Sequence, residues 1–350
     1  MRDIVIDSIK IGRQHPPFVV AEMSGNHNQS LQRALQLVEA AAYAGVNAVK
    51  LQTYTADTIT LDVQSDDFMI NDAKSLWRGA TLHALYQQSY TPWAWHKQIM
   101  EKCKQHGLLC FSTPFDETAV DFLESLNVPC YKIASFEVVH LPLIKKVAST
   151  GKPLIISTGL ANVAELYEAV AVAHSAGCRD IVLLKCTSTY PAEPVDSNLI
   201  TIPHMQTLFD CHVGLSDHTL GLGVSVASIA LGATFIEKHF TLCRADGGAD
   251  AEFSLEPEEM KNLVIEISRA WQALGNVAYG PTLHEKKSLQ FRRSIYASRD
   301  IMAGEILSAE NLKIIRPGYG LAPKYLEVIV GRKALRDITK GTPVDWQMFV

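Results

Sequence analysis

The stretch from residue 213 to residue 250 constrains the fold of this chain more than any other. It begins within the first of two short apolar runs, 211–215 and 233–237, and each run leads into polar side chains that include a histidine, His218 or His239. Between the runs, residues 221–232 are small, apolar and uncharged, which is typical of a buried helix that links two parallel strands. Because neighbouring parallel strands present their carboxyl ends at one edge, we predict that both imidazoles lie in one site.

The rest of the first 275 residues repeats this alternation of apolar runs and helical patterns. The runs are continuously apolar rather than alternating, which indicates a parallel sheet covered on both faces. The predicted strands lie at 18–22, 48–52, 108–112, 130–134, 154–157, 180–185, 211–215 and 234–237. The predicted helices lie at 30–44, 92–105, 117–126, 141–149, 163–176, 220–231 and 256–274. This pattern predicts an α/β fold, a (β/α)8 TIM barrel, with a doubly wound sheet as the alternative.

Two segments depart from this rhythm. Residues 53–90 separate the second strand from its helix, and so long a connection is typical of a lid or specificity loop, although a surface insertion without function is the alternative. We predict a catalytic barrel domain at 1–275, a linker at 276–290 and a small module of short β runs at 291–350. A module of this size has a small core, so we expect it to dock on another surface.

Composition excludes several classes of protein. A net charge of −5 gives no reason to expect a nucleic-acid or anionic-membrane partner. No apolar run reaches the roughly 18 residues that a membrane span needs, and the first residues lack the apolar core of a signal peptide. The seven cysteines are scattered without zinc-type spacing, which predicts buried free thiols and a cytoplasmic protein.

Polar side chains collect at the predicted carboxyl ends of the strands, where TIM barrels carry their active sites. Lys50 and Lys132 lie inside apolar runs, which is unusual for a charge without a partner. Together with nearby hydroxyl groups they predict a pocket for a dianion such as phosphate. The alternatives are an internal ion pair with Glu22 or Glu137, and a Schiff-base lysine as in barrel aldolases. The hydroxyl groups belong to Thr113, Ser135, Ser157 and Ser216.

His218 and His239 could act as metal ligands, as a general acid and base, or as structural residues. Their places at adjacent strand ends favour a shared function, but two imidazoles make only half of a ligand set. Such an open site with mixed nitrogen and oxygen ligands suits Mn²⁺ or Mg²⁺ better than structural zinc. We predict that His27 lies near the mouth of the barrel. Four other histidines are predicted to be surface residues: His83, His96, His204 and His284.

Nine short motifs, read in order, resemble the sialic acid synthase family. They are AEMSGNHNQ (21–29), VKLQTY (49–54), FSTPFD (111–116), YKIASFE (131–137), ISTG (156–159), LKCTSTYP (184–191), GLSDHT (214–219), EKHFT (237–241) and IIRPGYGL (314–321). The last is similar to the Arg-Pro-Gly motif of that family's C-terminal antifreeze-like (SAF) domain. The resemblance covers nearly the whole chain, and it implies a transferase that condenses phosphoenolpyruvate with an amino-sugar aldehyde into a nine-carbon 2-keto acid.

The resemblance also implies roles for individual residues. It implies that phosphoenolpyruvate binds to Lys50, Thr113, Lys132, Ser135, Ser157 and Ser216. It implies that His218 and His239 hold a divalent metal ion, with Mn²⁺ expected first and Mg²⁺ or Co²⁺ as alternatives, and that Glu22 and Glu137 join them in catalysis. The sugar is expected to contact Gln52, Tyr190, Asp250 and Arg316. The family works as a homodimer with a swapped C-terminal domain, so we expect Arg316 to reach the site of the other subunit.

Departures from the family pattern bear on the substrate. Lys185 and Lys238 stand where the sialic acid branch usually has His and Arg, and the segments SLWRG (75–79), LY (85–86) and TPWAWH (91–96) resemble the pseudaminic acid synthase branch. The resemblance thus implies the sugar 2,4-diacetamido-2,4,6-trideoxy-L-altrose and a role in flagellin glycosylation. Extra aromatic surface from Trp77 or Tyr86 suits this less polar sugar. Legionaminic and N-acetylneuraminic acid synthases are the alternatives within the family, and a sugar-binding protein without activity is the alternative outside it.

Overall fold

The computed structural model describes residues 1–71 and 78–350 and divides into two compact units, Met1–Gly275 and Asn276–Val350. In the first unit, eight parallel strands close into a barrel, which confirms the predicted TIM fold. In chain order the barrel strands are β3 (Phe18–Glu22), β4 (Ala48–Thr53), β5 (Leu109–Pro114), β6 (Tyr131–Ile133), β7 (Leu154–Ser157), β8 (Ile181–Cys186), β9 (His212–Asp217) and β10 (Phe235–His239). The prediction gave the bounds of β3 and β7 as observed, and the bounds of the other strands differ by one or two residues.

Helices cover the outside of the barrel, and two short ones lie in the long connection at its mouth. They are α1 (Leu31–Ala44), α2 (Ala56–Ile59), α3 (Leu82–Ser89), α4 (Trp93–Gln105), α5 (Glu117–Ser125), α6 (Leu141–Ala148), α7 (Val163–Ser175), α8 (Thr201–Phe209), α9 (Gly223–Ala230) and α10 (Pro257–Leu274). Helix α1 shows why they begin and end where they do: the Ser30 side chain accepts a bond from the Arg33 amide, and Gly45 ends the helix at φ 82°. The predicted helices did not include α8, whose Pro203 lies in its first turn, where proline is tolerated.

The barrel interior is apolar at its amino-terminal end. Strand residues such as Phe18, Phe111 and Phe235 form one buried cluster there, and Phe18 stacks on Phe235 with ring centroids 5.1 Å apart. An antiparallel hairpin, β1 (Ile4–Ile6) and β2 (Ile9–Ile11), packs against the same cluster. This hairpin was not among the predicted strands. Because the hairpin and the apolar floor fill this end, the polar interior side chains lie towards the carboxyl ends of the strands.

The long connection between β4 and α4 contains the two short helices α2 and α3. The hydroxyl groups of Thr55 and Thr81 cap these helices by accepting backbone N–H bonds from Thr58 and Ala84. Trp77 and most of the segment at 75–79 lie outside the described residues, so the aromatic surface expected from Trp77 stays a prediction.

The second unit has its own small core. Strands β11 (Ser294–Ala297) and β12 (Leu312–Ile315) pair antiparallel, and helix α11 (Leu326–Ile329) adds one buried isoleucine, Ile329. The buried cluster also includes Ile295, Leu307 and Val344. Within the two described ranges, no helix combines the length and the apolar character needed to cross a membrane.

Candidate active site

Strand alternation decides which polar side chains face the barrel interior. Since successive residues of a strand point to opposite faces, Lys50 and Gln52 share a face with the interior residue Ala48, and Glu237 and His239 share one with Phe235. The six residues predicted to bind phosphoenolpyruvate are all buried at the carboxyl ends of the strands or just beyond them: Lys50, Thr113, Lys132, Ser135, Ser157 and Ser216. The barrel therefore brings these side chains to one end of its interior.

Four buried charges form the base of this region. Lys50 Nζ lies 2.8 Å from Glu22 Oε2 and 3.4 Å from Glu237 Oε1, and Lys132 Nζ lies 3.6 Å from the same Glu237 oxygen. None of these four side chains is more than 4% exposed. The internal ion pair between Lys50 and Glu22, considered as an alternative from the sequence, is therefore present. Sequence analysis placed Glu237 at a strand end but gave it no role, and the structure places it between the two lysines.

Charge pairing offsets the cost of burial at Lys50 and Glu237 but not at Lys132. Burial lowers the pKa of Lys50, but Glu22 and Glu237 outweigh it and raise that pKa above its ordinary value. Burial also raises the pKa of Glu237, but Lys132 and Lys50 reverse the effect and lower it. Burial dominates at Lys132, whose pKa is lowered despite the nearby Glu237 carboxylate. Lys132 is therefore the ammonium group that an additional negative charge would stabilise most.

Hydroxyl groups border the two lysines. Thr113 Oγ1 accepts a bond from Lys50 Nζ at 3.3 Å, and Ser216 Oγ donates to Glu237 Oε1 at 3.2 Å. Ser157 Oγ is buried, yet it has no hydrogen-bond partner among residues 1–71 and 78–350. Buried polar atoms rarely stay without a partner, so this hydroxyl group is available to a ligand.

The residue at position 159 must be small. The Gly159 amide donates to Ser135 Oγ at 3.2 Å. A Cβ atom there would lie 2.1 Å from Ser188 Oγ and 2.7 Å from Ser135 Oγ. Gly159 thus lets the backbone approach Ser135, one of the predicted phosphoenolpyruvate ligands.

The two candidate metal ligands lie on the paired strand ends of β9 and β10. The ring centroids of His218 and His239 are 5.3 Å apart, and Phe253 packs against His239 at 4.8 Å. His218 Nδ1 lies 2.9 Å from the Thr187 carbonyl oxygen, which can only accept, so Nδ1 donates this bond and Nε2 is the ring nitrogen left for a ligand. Metal-binding histidines are commonly oriented by a bond of this kind to the other ring nitrogen.

The two histidines fit an ion that also takes ligands from solvent or substrate. Burial, together with the neighbouring His218, holds the pKa of His239 well below its ordinary value, so this imidazole is neutral and can donate a lone pair. Its Nδ1 lies 3.6 Å from Asp250 Oδ2. No set of three or more His, Cys, Asp or Glu side chains in the described part of the chain is arranged to enclose a metal by itself.

Glu137 follows β6 in a short turn, Ser135–Glu137. Burial raises the pKa of Glu137 to about 7, against the opposing charge of Lys132. Its Oε2 atom is buried without a hydrogen-bond partner in the described ranges. A carboxyl group with this pKa is divided between its two forms at neutral pH, which suits a group that exchanges protons.

A cavity of about 270 Å³ opens above these residues at the barrel mouth. Three of the four predicted sugar ligands, Gln52, Tyr190 and Asp250, line it, and the fourth, Arg316, belongs to the second unit. Asp250 accepts a hydrogen bond from Ser24, which sequence analysis had not included among the site residues. The remaining lining residues are Ser24, Tyr54, Ile59, Leu85, Tyr86, Ser89, Phe115, Phe136, His239 and Ala249.

Alternation also explains which candidates lie outside the barrel interior. Lys238 pairs with Asp217 at 2.8 Å, and Asp217 also accepts a bond from Ser225 of α9, so this buried pair joins the barrel to a helix. Lys185 alternates with the interior residue Leu184, and its Nζ lies 3.1 Å from the Cys186 carbonyl oxygen.

One histidine lies elsewhere than predicted, and one cysteine near the site had no predicted role. His96 was predicted to lie at the surface, and this is wrong: it is buried behind β4, where its Nε2 lies 2.8 Å from Thr53 Oγ1. Cys186 was treated only as a buried thiol, but its Sγ lies 3.9 Å from His218 Nδ1. Burial opposes ionisation of this thiol, yet His218 lowers its pKa to about 7. The signal for Cys186 was its place two residues after Leu184 on the same strand face.

Comparison with known proteins identifies the family. Residues 37–279 match the NeuB family, and residues 292–350 match the SAF domain. Pseudaminic acid synthase of Campylobacter jejuni is 42% identical over 324 residues, which cover 93% of this chain and 94% of that protein. N,N'-diacetyllegionaminic acid synthase of Legionella pneumophila is 38% identical, covering 94% of each.

A solved structure shares both fold and sequence. The N-acetylneuraminic acid (sialic acid) synthetase from Leptospira borgpetersenii, in complex with citrate, superposes with a TM-score of 0.74 at 30% identity, covering 83% of this chain and 96% of that one. These matches confirm the resemblance that the strand-end motifs indicated, and they agree with a carbon–carbon bond-forming transferase. Since the family match spans more than half of the chain, and relatives align over nearly all of it, this chain belongs to the NeuB family.

Proposed function

We propose that this protein is a pseudaminic acid synthase. It condenses phosphoenolpyruvate with 2,4-diacetamido-2,4,6-trideoxy-L-altrose and water to give pseudaminic acid and phosphate. The observation that carries the proposal is the buried pair Lys50 and Lys132, which lies beside the histidine pair beneath a cavity of sugar size. The similarity to pseudaminic acid synthases supports the choice of sugar, and the somewhat lower similarity to legionaminic acid synthases makes their substrate the second candidate.

The phosphate group of phosphoenolpyruvate binds at the two lysines. The ion pairs of Lys50 and Lys132 with Glu237 keep these ammonium groups in place before the substrate arrives. Four hydroxyl groups donate hydrogen bonds to the phosphate and carboxylate oxygens of the substrate. They belong to Thr113, Ser135, Ser157 and Ser216. Because Ser157 Oγ is buried without a partner among the described residues, a bound oxygen would satisfy it.

The imidazoles of His218 and His239 would hold a divalent ion through their unprotonated ring nitrogens, and we expect Mn²⁺ first. An ion bound there would act as a Lewis acid on the C1 carbonyl of the open-chain sugar. The hydrogen bond from His218 Nδ1 to the Thr187 carbonyl fixes the ring so that Nε2 is the donor atom. Gln52, Tyr190 and Asp250 orient the sugar in the cavity.

The chemical step joins C3 of phosphoenolpyruvate to C1 of the sugar, and the aldehyde oxygen takes a proton from solvent and becomes a hydroxyl group. Water then adds at C2, which has become electron-poor. The new C2 hydroxyl group loses its proton as the bond between C2 and the phosphate oxygen breaks, which leaves the 2-keto group and inorganic phosphate. Glu137 takes the proton that the water loses, because its pKa of about 7 lets the carboxylate form accept a proton near neutral pH. Glu22 keeps Lys50 ionised and positions Gln52, whose Nε2 donates to Glu22 Oε1 at 3.2 Å.

The active assembly is a homodimer in which Arg316 of the partner subunit clamps the sugar. Exposed apolar side chains in both units support an assembly of this kind. Phe136 and Leu160, on mouth loops of the barrel, are 58% and 73% exposed, and Val277 and Tyr279 of the linker are 93% and 98% exposed. An interface between subunits would cover apolar side chains of this kind.

Subunit mixing tests the swap. The variants H218A and R316A are each expected to be inactive or nearly so. Mixing them under conditions that exchange subunits creates heterodimers in which one site has both His218 and Arg316. About a quarter of the wild-type activity should therefore return if pairing is random. If Arg316 served its own subunit's site, no heterodimer would carry a complete site and no activity would return.

The direct test of the function is an assay with phosphoenolpyruvate, Mn²⁺ and a panel of amino sugars, recording phosphate release and product mass. Turnover with the trideoxy-altrose derivative and little with the others is the expected result. Turnover with N-acetylmannosamine instead would overturn the choice of sugar but keep the reaction. Trapping by borohydride in the presence of pyruvate would indicate a Schiff-base aldolase and contradict the proposal.

A further inference from the structure

The cavity at the mouth has a polar arc and an apolar arc. Its polar arc comes from β4, β10 and the loops after β3, β8 and β10: Ser24, Gln52, Tyr190, His239 and Asp250. Its apolar lining comes from the long connection after β4 and from the segments after β5 and β6: Tyr54, Ile59, Leu85, Phe115 and Phe136. Around the barrel, the strands β5 and β6 that carry part of the apolar arc lie beyond β4, away from β10.

We propose that Ile59, Leu85 and Phe115 form a methyl seat that receives the C6 methyl group of the sugar and so selects 6-deoxy sugars over 6-hydroxy sugars. This inference rests on the proposed function. In that reaction C1 must meet phosphoenolpyruvate at the lysines and histidines. C6, the carbon farthest from C1 along the sugar chain, therefore extends towards the other arc of the cavity.

The seat is formed before a ligand binds. Tyr54 behind it is 3% exposed, and its ring packs edge-on against Phe115 at 5.1 Å and against Tyr86 at 5.7 Å. Trp93 Nε1 donates to the Tyr54 carbonyl oxygen at 3.2 Å, which ties the start of the long connection to helix α4. A surface that is already ordered loses little conformational entropy on binding, so its shape can discriminate between ligands.

The chemistry of the seat opposes a hydroxyl group at C6. The side chains of Ile59, Leu85 and Phe115 contain no polar atom. The hydroxyl group of Ser89, which also lines the cavity, already donates to the Leu85 carbonyl oxygen at 3.0 Å. Against these three side chains a C6 hydroxyl group would lose water without gaining an equivalent bond, whereas a methyl group gains by burial. An apolar pocket discriminates between two substrates that differ by one such group by about 10- to 200-fold in kcat/KM.

The test compares two sugars that differ by one oxygen atom, 2,4-diacetamido-2,4,6-trideoxy-L-altrose and its 6-hydroxy analogue. The wild-type protein with phosphoenolpyruvate and Mn²⁺ is expected to prefer the 6-deoxy sugar by about 10- to 200-fold in kcat/KM. Leu85→Asn places an amide in the seat and should reduce this preference at least about tenfold, mainly by loss of kcat/KM for the 6-deoxy sugar. Ile59→Asn should act in the same direction.

The matched control is Leu82→Asn, which makes the same change on the same helix at a position that does not line the cavity. It should leave the preference unchanged. Equal loss with both sugars in Leu85→Asn and Ile59→Asn, at unchanged thermal stability, would overturn the methyl seat while leaving the proposed function intact. The same holds for a wild-type protein that uses both sugars equally. Turnover with neither sugar would instead overturn the proposed function itself, and the methyl seat with it.

Discussion

Replacing Lys50 by methionine tests whether the buried charge cluster is balanced as the structure indicates. In the ligand-free protein, Lys50 Nζ is 2.8 Å from Glu22 Oε2 and 3.4 Å from Glu237 Oε1, and its side chain is 4% exposed. Methionine keeps the length and apolar stem of lysine but leaves two buried carboxylates with Lys132 as the remaining lysine counterion among the described residues. Removing one partner of a buried ion pair costs about 3–5 kcal/mol. Since whole domains are stable by about 5–15 kcal/mol, this is a large fraction of the total.

The measurement is the free energy of unfolding of the barrel unit, from urea titration at pH 7.5. Lys146→Met is the matched control: Lys146 Nζ lies 2.6 Å from Asp121 Oδ1, but the two side chains are 35% and 66% exposed. An exposed pair of this kind contributes about 0–1 kcal/mol, so Lys146→Met should be nearly neutral.

The double variant Lys50→Met, Glu22→Gln isolates the cause. It removes one of the carboxylates left without a partner and should recover a substantial part of the stability lost in Lys50→Met. A loss below about 1 kcal/mol in Lys50→Met, or no recovery in the double variant, would show that Lys50 is not an internal counterion.

Three further predictions concern the same site. Because burial raises the pKa of Glu137 to about 7, its contribution to stability is present below the ordinary glutamate pKa and is lost as the pH rises through 7. The free energy of unfolding of wild type, relative to that of Glu137→Gln, should therefore fall by at most about 3 kcal/mol between pH 5 and pH 8. Equal pH dependence in both proteins would contradict this. His218→Ala and His239→Ala should each weaken Mn²⁺ binding at least about tenfold by calorimetry, whereas His204→Ala, at an exposed position of helix α8, should not; unchanged binding in either site variant refutes the ligand assignment. Gly159→Ala brings a Cβ atom to 2.1 Å from Ser188 Oγ and should raise the KM for phosphoenolpyruvate more than the KM for the sugar, in initial-rate kinetics with each substrate varied; an equal rise in both would place Gly159 outside the phosphate pocket.

The sequence predicted the barrel and most of the residues at its mouth because one rule governs both. Parallel strands with helices between them expose their carboxyl ends together, so Lys50, Lys132, His218 and His239 could be grouped from the chain alone. What the sequence could not decide was the face of each side chain. Barrel strands are apolar on both faces, so no polar alternation marks the interior, and Glu237 could not be distinguished from Lys238.

Other features depended on contacts distant in the chain. His96 looks like a surface residue within α4, yet it is buried because Thr53, forty-three residues earlier, supplies a hydrogen-bond partner. The hairpin of β1 and β2 has only three residues per strand, and it is stabilised by the barrel floor rather than by its own sequence. The contribution of Leu85 to the mouth cavity likewise follows from how α3 lies over the barrel, which local periodicity does not reveal.

The most direct test of the proposed chemistry follows the bridging oxygen of phosphoenolpyruvate. The protein would be incubated with Mn²⁺, the trideoxy-altrose derivative and phosphoenolpyruvate labelled with ¹⁸O at the oxygen between C2 and phosphorus, and the released phosphate analysed by mass spectrometry. Cleavage of the C–O bond predicts that the label leaves with the phosphate, while the new oxygen at C2 of the product comes from water. Label retained at C2 of the nine-carbon product would show cleavage at phosphorus and contradict the account.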